Sequence, residues 1–567
     1  MNFDVIVIGA GHAGIEAATA AARIGAKTGL ITMNLSNFGE LSCNPSIGGI
    51  GKGTVVKEVD ALGGVMALAV DMSSIHRKVL NASKGAAVWG IRHQIDRVLY
   101  KKAINSIIYD YKNLEIIVGE VVEILAENGV VNGVELANGD VLKCKSVVCT
   151  TGTFLKGKIL IGDERVSSGR INERAANFLT QSFLKFGLNV NRLKTGTPCR
   201  LNKNTIDFSG LEVQKSELEV LPMSYLNREI NIPQVECFIT HTNKKSHDII
   251  INNLHRIPAM NGEIQVNGPR YCPSIETKIE RFSDKERHQI FLEPEGLESD
   301  LIYPNGISTS MPRDMQVDFI ASIKGLEKAK IEQFGYAIEY DFVDPRDVKN
   351  TLETKNVRGL FLAGQVIGTT GYEEAAGLGL VAGANAALSI DGGEFVLPRY
   401  NSYIGVMIDD LTTLGVAGEP YRLFTSRSEY RLSCRSDNAD FRLTEIGDEV
   451  GLIDVKRRVA FSSKKGEFER ILNLLNELTI TPSALQKFDV QITQDGVRRT
   501  AFEVLQYKDV TMNDLRRVWG EIPQLSSEME LLVTTEAKYS QYIERQKSEI
   551  DEIKKGYAMK IPDGFDF

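Results

Sequence analysis

The sequence predicts an α/β protein. It should combine a Rossmann-like dinucleotide-binding domain, discontinuous in the chain, with an inserted β-rich α/β domain and a C-terminal helical domain. One observation is the N-terminal order of apolar strand, glycine turn and alanine-rich helix; the other is a pair of later apolar strands, 146–153 and 359–364, that each run into a glycine. A length of 567 residues suggests two to four domains. The expected domains are 1–195 plus 335–398, the insertion 196–334, and the helical domain 399–567.

The stretch FDVIVIGAGHAGIEAATAAARIG begins the first domain with the spacing G-x-G-x-x-G. Gly9 permits the turn, Gly11 lets the backbone approach a pyrophosphate, and Gly14 lets the helix pack on the strand. The free amides at the helix N-terminus then bind the phosphates. The predicted pyrophosphate loop is Gly9, Ala10, Gly11, His12, Ala13 and Gly14.

The choice between FAD and NAD rests on later segments. The acid that usually binds the ribose after the second strand is absent, and Met33 and Asn34 stand in its place. The strand in SVVCTTGT fits the second crossing that flavoproteins make over the same sheet. The strand in GLFLAGQVIGTTGYEEAAGLGLVAG ends at Gly364 and Gln365, before a helix whose N-terminus could face a flavin ring. FAD is therefore the expected cofactor.

Cys43 begins the glycine-rich stretch SCNPSIGGIGKG, which lacks the spacing of a Walker A motif. The glycines favour backbone passing close to a flat cofactor, which would place Cys43 beside the flavin, with Lys52 as a candidate cation. Cys272 in GPRYCPSIETKIERF lies among Arg270, Lys278 and other cations, so it is the stronger candidate nucleophile. For either cysteine the alternative is a packed, inert thiol.

The overall composition restricts the class of protein. Seven cysteines without a CxxC pair indicate reduced thiols in a cytoplasmic protein and no thiolate metal site. The chain shows no apolar run of 18 residues, and it enters a strand by Val5, so we expect no membrane span and no signal peptide. The formal net charge is -8, so a nucleic-acid site has to be a local basic patch.

Residues 74–103 are such a candidate patch, because they hold seven lysines and arginines against one acid, Asp96. A cluster of one sign is typical of an RNA surface, although a solvated face is the alternative. Arginines spaced by four in TSRSEYRLSCR suggest a second basic face on a helix. The predicted RNA-binding residues are Arg77, Lys78, Lys84, Arg92, Arg97, Lys101, Lys102, Arg427, Arg431 and Arg435.

Motifs along most of the chain resemble the MnmG (GidA) family of tRNA-modifying flavoproteins. They include IGAGHAG, LSCNPSIGGIGKG, LNASKGAAV, RLKTGTPCR, GPRYCPSIE, YPNGISTSMP, GTTGYEEAA and EPYRLFTSRSEYRL. The resemblance implies an FAD enzyme, usually a homodimer, that forms a heterotetramer with the GTPase MnmE. It implies that the pair adds a (carboxymethyl)aminomethyl group to carbon 5 of the wobble uridine of tRNA. Methylenetetrahydrofolate supplies the carbon and NADH reduces the flavin.

The resemblance also assigns residues. Cys43 and Cys272 match the two functionally important cysteines of the family, and Val121 and Gln365 fall at further FAD positions. The segment implied to bind the nicotinamide nucleotide is Gly268, Pro269, Arg270, Tyr271, Cys272, Pro273, Ser274, Ile275, Glu276, Thr277, Lys278, Ile279, Glu280, Arg281 and Phe282.

Two further hypotheses concern the end of the chain and the activity. The family continues past the segment matching MKIPDGFDF, so we expect either a C-terminally truncated form or an unusually short member that binds the GTPase poorly. The alternative functions are a flavin- and folate-dependent tRNA uridine methyltransferase and a non-catalytic RNA-binding flavoprotein.

Overall fold

The structure is a computed structural model that describes residues 2–262, 273–416 and 418–557, and every structural statement below concerns these residues. The strands are β1 (Val5–Ile8), β2 (Thr28–Thr32), β3 (Ser46–Gly48), β4 (Ser74–Leu80), β5 (Gly90–Ile95), β6 (Leu114–Val118), β7 (Val121–Glu127), β8 (Val130–Leu136), β9 (Val141–Lys143), β10 (Ser146–Cys149), β11 (Lys158–Ile161), β12 (Glu164–Ser167), β13 (Val190–Thr197), β14 (Arg200–Asn202), β15 (Glu212–Gln214), β16 (Cys237–His241), β17 (Gln289–Pro294), β18 (Leu301–Asn305), β19 (Ile331–Gln333), β20 (Tyr336–Val343), β21 (Leu360–Leu362), β22 (Thr479–Ile480) and β23 (Arg499–Thr500). The α-helices are α1 (His12–Ile24), α2 (Lys52–Ala61), α3 (Met66–Asp71), α4 (Arg97–Ile108), α5 (Thr180–Lys185), α6 (Lys244–Ile251), α7 (Ile275–Arg281), α8 (Arg313–Ala321), α9 (Tyr372–Leu388), α10 (Tyr403–Leu414), α11 (Ala439–Glu449), α12 (Val455–Glu477), α13 (Pro482–Leu485), α14 (Ala501–Leu505), α15 (Met512–Val518) and α16 (Ser527–Tyr557).

A five-stranded sheet with the order β21-β10-β1-β2-β6 forms the centre of the first unit. All its strand pairs are parallel. The strands β1, β10 and β21 are apolar except for Ser146 (VIVI, SVVC and LFL) and fully buried, as expected for a parallel sheet covered on both faces. The apolar strands separated by about 200 residues therefore join one sheet, and the predicted Rossmann-like fold is confirmed.

Helices α1 and α9 cross on this sheet with almost no side chain between them. A Cβ atom at Gly379 would overlap the carbonyl of Ala13, and one at Gly383 would overlap the carbonyl of Ala17. The small residues of both helices are thus required by the closeness of the crossing. The crossing brings the N-termini of α1 and α9 to the same edge of the sheet.

The chain leaves this unit through β13 and returns through β20, which pair antiparallel from Val190 opposite Val343 to Thr197 opposite Tyr336. Between them lies a six-stranded antiparallel sheet with the order β15-β16-β17-β18-β14-β19. It has its own hydrophobic core, drawn from residues 199–326. The predicted β-rich insertion is therefore present in the fold.

The C-terminal region is helical, as predicted, and residues 471–537 supply a separate core. Helices α10 and α11 pack instead into the core of the first unit, through residues such as Tyr403, Leu411 and Leu443. This packing favours a later start of the helical domain than residue 399, and we propose one near residue 455.

The described residues contain neither a membrane-spanning helix nor a cluster of metal-binding side chains. No helix among them combines the length and hydropathy needed to cross a membrane. Nor do they contain three or more His, Cys, Asp or Glu side chains grouped so that they could hold a metal ion.

Candidate functional site

A cavity of about 630 Å³ opens where the strands of the parallel sheet end. Each of the five strands contributes lining residues from its carboxyl end, which is where open α/β sheets bind their ligands. The insertion contributes the other wall through β13, β18 and β20. The predicted cofactor and cysteine residues that line the cavity are Gly9, Ala10, Gly11, His12, Ala13, Cys43, Val121, Lys278 and Gln365.

The three glycines of the predicted pyrophosphate loop are constrained in different ways. Gly9 has φ +99°, and a Cβ there would lie 2.7 Å from the carbonyl oxygen of Thr150. Gly11 is the N-cap of α1, and a Cβ there would meet nothing within 4 Å. A Cβ at Gly14 would overlap the carbonyl oxygen of Gly9. Gly9 and Gly14 therefore form the turn, while Gly11 leaves open space over the helix N-terminus.

Two buried polar atoms at this end of the cavity have no partner among the described residues. They are Nε2 of His12 and Oγ1 of Thr151, and both residues line the cavity. Burial lowers the pKa of His12 to about 4, so its imidazole is neutral near pH 7. Buried polar groups are normally hydrogen-bonded, so these atoms indicate a polar ligand. Together with the open space at Gly11, the residues present fit the pyrophosphate of FAD.

Two further residues are the predicted cofactor residue Gly364 and Asn34, which stands where the acid that binds the ribose is usually found. Gly364 does not line the cavity; with φ +83° it lies against α1, where a Cβ would be 3.1 Å from that of Ala13. Asn34 lines the cavity, but its Oδ1 accepts the backbone N–H of Ser36 at 3.0 Å and so caps a short 3-10 helix. Gly364 is therefore required for packing. Asn34 lines the cavity, but its side-chain oxygen is already bonded to Ser36.

Cys43 is half-buried in the wall of the cavity. Its Sγ lies 3.2 Å from Oη of Tyr303 and 3.7 Å from the carbonyl oxygen of Gly196. Its backbone N–H donates to Oη of Tyr372 at 2.6 Å. Its carbonyl oxygen accepts from the guanidinium groups of Arg97 and Arg200. The thiol is thus held between the flavin-binding unit and the insertion.

Lys52 does not supply the free cation that the sequence suggested for Cys43. Its Nζ lies 2.9 Å from Oε2 of Glu373 and 3.3 Å from Oε2 of Glu374. Burial opposes the charged form, yet these two carboxylates hold the pKa of Lys52 above its ordinary value. The cations that contact the Cys43 peptide are Arg97 and Arg200, which share the carboxylate of Glu295.

The glycines after Cys43 serve mainly to pack their loop on β5. Gly48, Gly49 and Gly51 have positive φ, and a Cβ at Gly48 or Gly53 would overlap or closely approach the Ile91 backbone. Only Gly49 of these faces open space while lining the cavity. Gly48 and Gly49 line the cavity whereas Gly51 and Gly53 do not, so the interpretation that these glycines lie close to the cofactor stays a prediction for the first two alone.

The predicted nicotinamide segment is only partly described, since Gly268–Cys272 lie outside the described residues. Ser274 caps the N-terminus of α7. Ile275 and Ile279 of this helix are buried in the core of the insertion. Oε1 of the buried Glu276 accepts the backbone N–H of Ser310 at 3.0 Å. Lys278 alone in the described part of this segment lines the cavity, and its Nζ donates to the carbonyl of Gly306 at 2.5 Å.

Most cations of residues 74–103 are paired with acids from distant parts of the chain. Arg92 contacts Glu293, Lys78 contacts Glu217, Lys101 contacts Glu40, and Arg97 contacts Glu40 and Glu295. Arg77 is buried and donates to the carbonyl of Val220. Exposed members without an ion pair in the described part of the chain are Lys84 and Lys102.

The arginines at 427, 431 and 435 do not share a helical face, and that expectation is wrong. A 3-10 helix covers Thr425–Arg427, and turns follow it. Arg427 is ion-paired with Asp410 at 3.1 Å. Arg435 is buried and bonded to Asp437 and Glu536, whereas Arg431 is exposed.

Sequence reasoning missed the residues around the Cys43 thiol. Tyr303, Tyr372 and Arg200 lie in the stretches YPNGISTSMP, GTTGYEEAA and RLKTGTPCR. The motifs marked these stretches as important, but periodicity or charge gives no reason to select single residues within them. They meet at Cys43 because β14, β18 and α9 all reach it. Arg200 on β14 and Tyr372 on α9 bond its backbone, and Tyr303 on β18 contacts its thiol.

The fold and the cavity define a dinucleotide-binding protein of the flavoprotein class. The family described as "Glucose inhibited division protein A" (GidA) matches residues 4–394, and the "tRNA modifying enzyme MnmG/GidA C-terminal helical domain" matches residues 456–547. The chain belongs to the GidA family and is a tRNA modification enzyme. FAD is the cofactor that the family and the site support.

Solved structures agree with this assignment. GidA from Aquifex aeolicus in one crystal form is 45% identical, with a TM-score of 0.92, over 100% of this chain and 91% of that chain. A second crystal form of the same protein is 46% identical, with a TM-score of 0.92, over 100% of this chain and 92% of that chain.

Proposed function

We propose that the protein, with the GTPase MnmE, adds an aminomethyl or carboxymethylaminomethyl group to carbon 5 of the wobble uridine of tRNA. Methylenetetrahydrofolate supplies the carbon, and NADH supplies the electrons. The observation that carries the proposal is one cavity lined both by the loop that fits FAD and by Cys43. Family membership supports a cytoplasmic homodimer that binds MnmE as a heterotetramer.

Different residues of the chain have different roles in this reaction. Bound FAD supplies the redox and one-carbon chemistry. Gly9–Gly14 bind its pyrophosphate, with Nε2 of His12 and Oγ1 of Thr151 available as polar contacts. Carbon 5 of uridine is a poor nucleophile until a thiolate adds to carbon 6. We propose that Cys272 makes this addition and that Cys43 acts nearer the flavin.

Nucleoside analysis of tRNA tests the proposed activity. Cells lacking the gene are expected to lose the modified wobble uridine, and the wild-type gene should restore it. A Cys43→Ala gene, expressed at the same level, should not. If the modified wobble uridine persists and 5-methyluridine is lost instead, the protein is a methyltransferase and the proposal is wrong.

The exposed, unpaired cations identify the residues on which tRNA binding is expected to depend. Charge reversal by Lys84→Glu together with Lys102→Glu should weaken tRNA binding and lower the slope of log Kd against log salt by about two, because two phosphate contacts release fewer counterions. Filter binding over a range of salt concentrations measures both quantities.

The matched control for this charge reversal is Lys185→Glu. Lys185 is equally accessible, but its ammonium group is paired with Glu123 at 2.6 Å. Arg92 is unsuitable as a test residue, because its reversal would place two carboxylates together in a largely buried site beside Glu293. An unchanged affinity and slope in the double variant would mean that residues 74–103 form a solvated face that does not bind tRNA.

A further inference from the structure

The thiol of Cys43 is in contact with the hydroxyl of a buried tyrosine. Tyr303 lies in β18 with 2% of its surface exposed, and its Oη is 3.2 Å from Sγ of Cys43. While the sulfur carries its proton, either atom can donate, and the carbonyl of Gly196 at 3.7 Å offers a second acceptor. Once the sulfur is ionised, only the tyrosine hydroxyl can donate across the 3.2 Å contact.

The backbone of Cys43 is fixed on both sides, which holds the sulfur at this distance. Oη of Tyr372 accepts the Cys43 N–H at 2.6 Å and donates to the Asn44 carbonyl at 3.2 Å. On the other side, Nη2 of Arg200 donates to the Cys43 carbonyl at 3.2 Å, next to a bond from Arg97. These bonds fix the peptide without using the thiol, and they hold its sulfur in contact with Oη of Tyr303.

The surroundings of Tyr303 favour donation from its hydroxyl group. The guanidinium of Arg200 lies over the tyrosine ring, 4.7 Å from its centroid, and is itself held by Glu295 at 2.7 Å. A cation over the ring face attracts its electron density, which makes the phenolic hydrogen a better donor. Hydrogen bonds to an ionised group are about twice as strong as neutral ones, so this contact favours the ionised sulfur.

We propose that Tyr303 is a positioning residue that stabilises the thiolate of Cys43 by donating a hydrogen bond to its sulfur. It rests on the proposed function in one respect, namely that the thiol of Cys43 takes part in the chemistry near the flavin. The other cysteines of the described chain provide a contrast, because burial raises the pKa of Cys144, Cys149 and Cys199 to about 12. Those thiols stay protonated near neutral pH, and in the described part of the chain none of the three pairs with a tyrosine hydroxyl in the way that Cys43 pairs with Tyr303.

The pH profile of thiol alkylation tests this proposal. The flavin-loaded protein is treated with iodoacetamide from pH 6 to 10, and the labelled Cys43 peptide is quantified by mass spectrometry, which separates it from Cys272. The thiolate displaces iodide, so the rate reports the ionised fraction of the sulfur. With Tyr303→Phe we expect the midpoint of the profile to rise by about one pH unit and the rate near pH 7 to fall about tenfold.

Tyr403→Phe is the matched control, since it removes a buried hydroxyl that has no hydrogen-bond partner among the described residues. Retained flavin and an unchanged melting temperature would show that each variant is folded. A Tyr303→Phe profile that coincides with wild type and with the control would overturn the proposal and leave the proposed function intact. If the profile shifts while tRNA modification stays at the wild-type rate, the tyrosine–thiol contact stands and the role of Cys43 in the proposed function fails.

Discussion

A Gly11→Val variant is expected to fold and to be purified without FAD. The valine side chain would extend into open space, because a Cβ at Gly11 meets nothing within 4 Å, and φ -77° at this residue is accessible to any L-residue. That open space lies over the N-terminus of α1, where the pyrophosphate has to approach the free amides. Loss of the flavin absorbance, with an unchanged circular dichroism spectrum, is the expected result.

Gly14→Ala is the informative partner of this variant. A Cβ at Gly14 would overlap the carbonyl oxygen of Gly9 inside the turn, so alanine should lower the free energy of unfolding by about 3 kcal/mol. The two substitutions therefore distinguish a glycine that leaves room for the ligand from a glycine that is needed for packing within the same motif. A Gly11→Val protein with a full complement of flavin would mean that the pyrophosphate binds elsewhere.

The pyrophosphate loop could be predicted from the sequence because its geometry is set within six consecutive residues. The positive φ of Gly9 and the packing of Gly14 on the Gly9 carbonyl lie within the motif, although Thr150 from another strand end also limits the space at both glycines. The surroundings of Cys43 could not be predicted in this way. They combine Arg97, Arg200, Tyr303 and Tyr372, which are separated by up to 329 residues from the cysteine.

The predicted RNA surface depends on contacts from outside its own segment, which a local pattern of charges does not contain. Charges counted along residues 74–103 sum to a surplus, but in space Glu217, Glu293 and Glu295 neutralise several of them. The spacing of the later arginines likewise suggests a helix, yet Arg435 is bonded to Glu536 from α16 and lies in a turn region. A basic cluster in the sequence therefore forms a basic surface only where the fold places no acidic side chains against it.

A Cys43→Ala variant is expected to bind FAD normally and to lose tRNA modification by a factor of about 10³ or more, which is the scale found when a reacting group is removed from an enzyme. The contacts that fix this segment use the backbone N–H and carbonyl of Cys43, so alanine leaves them in place. The thiol itself contacts Tyr303 and Gly196 and faces the cavity. Removal of the sulfur should therefore prevent the reaction while leaving the structure of this segment almost unchanged.

Cys199→Ala provides the control for the loss of a cysteine as such. Cys199 is buried in the core of the insertion, where burial raises the pKa of its thiol to about 12. Alanine there should cost stability through a small cavity while the turnover per folded molecule stays at the wild-type value. The measurement is the rate of tRNA modification by purified, flavin-loaded protein with its GTPase, normalised to bound flavin. Near wild-type turnover in Cys43→Ala would show that this thiol is a structural part of the cavity wall and that the chemistry depends on Cys272.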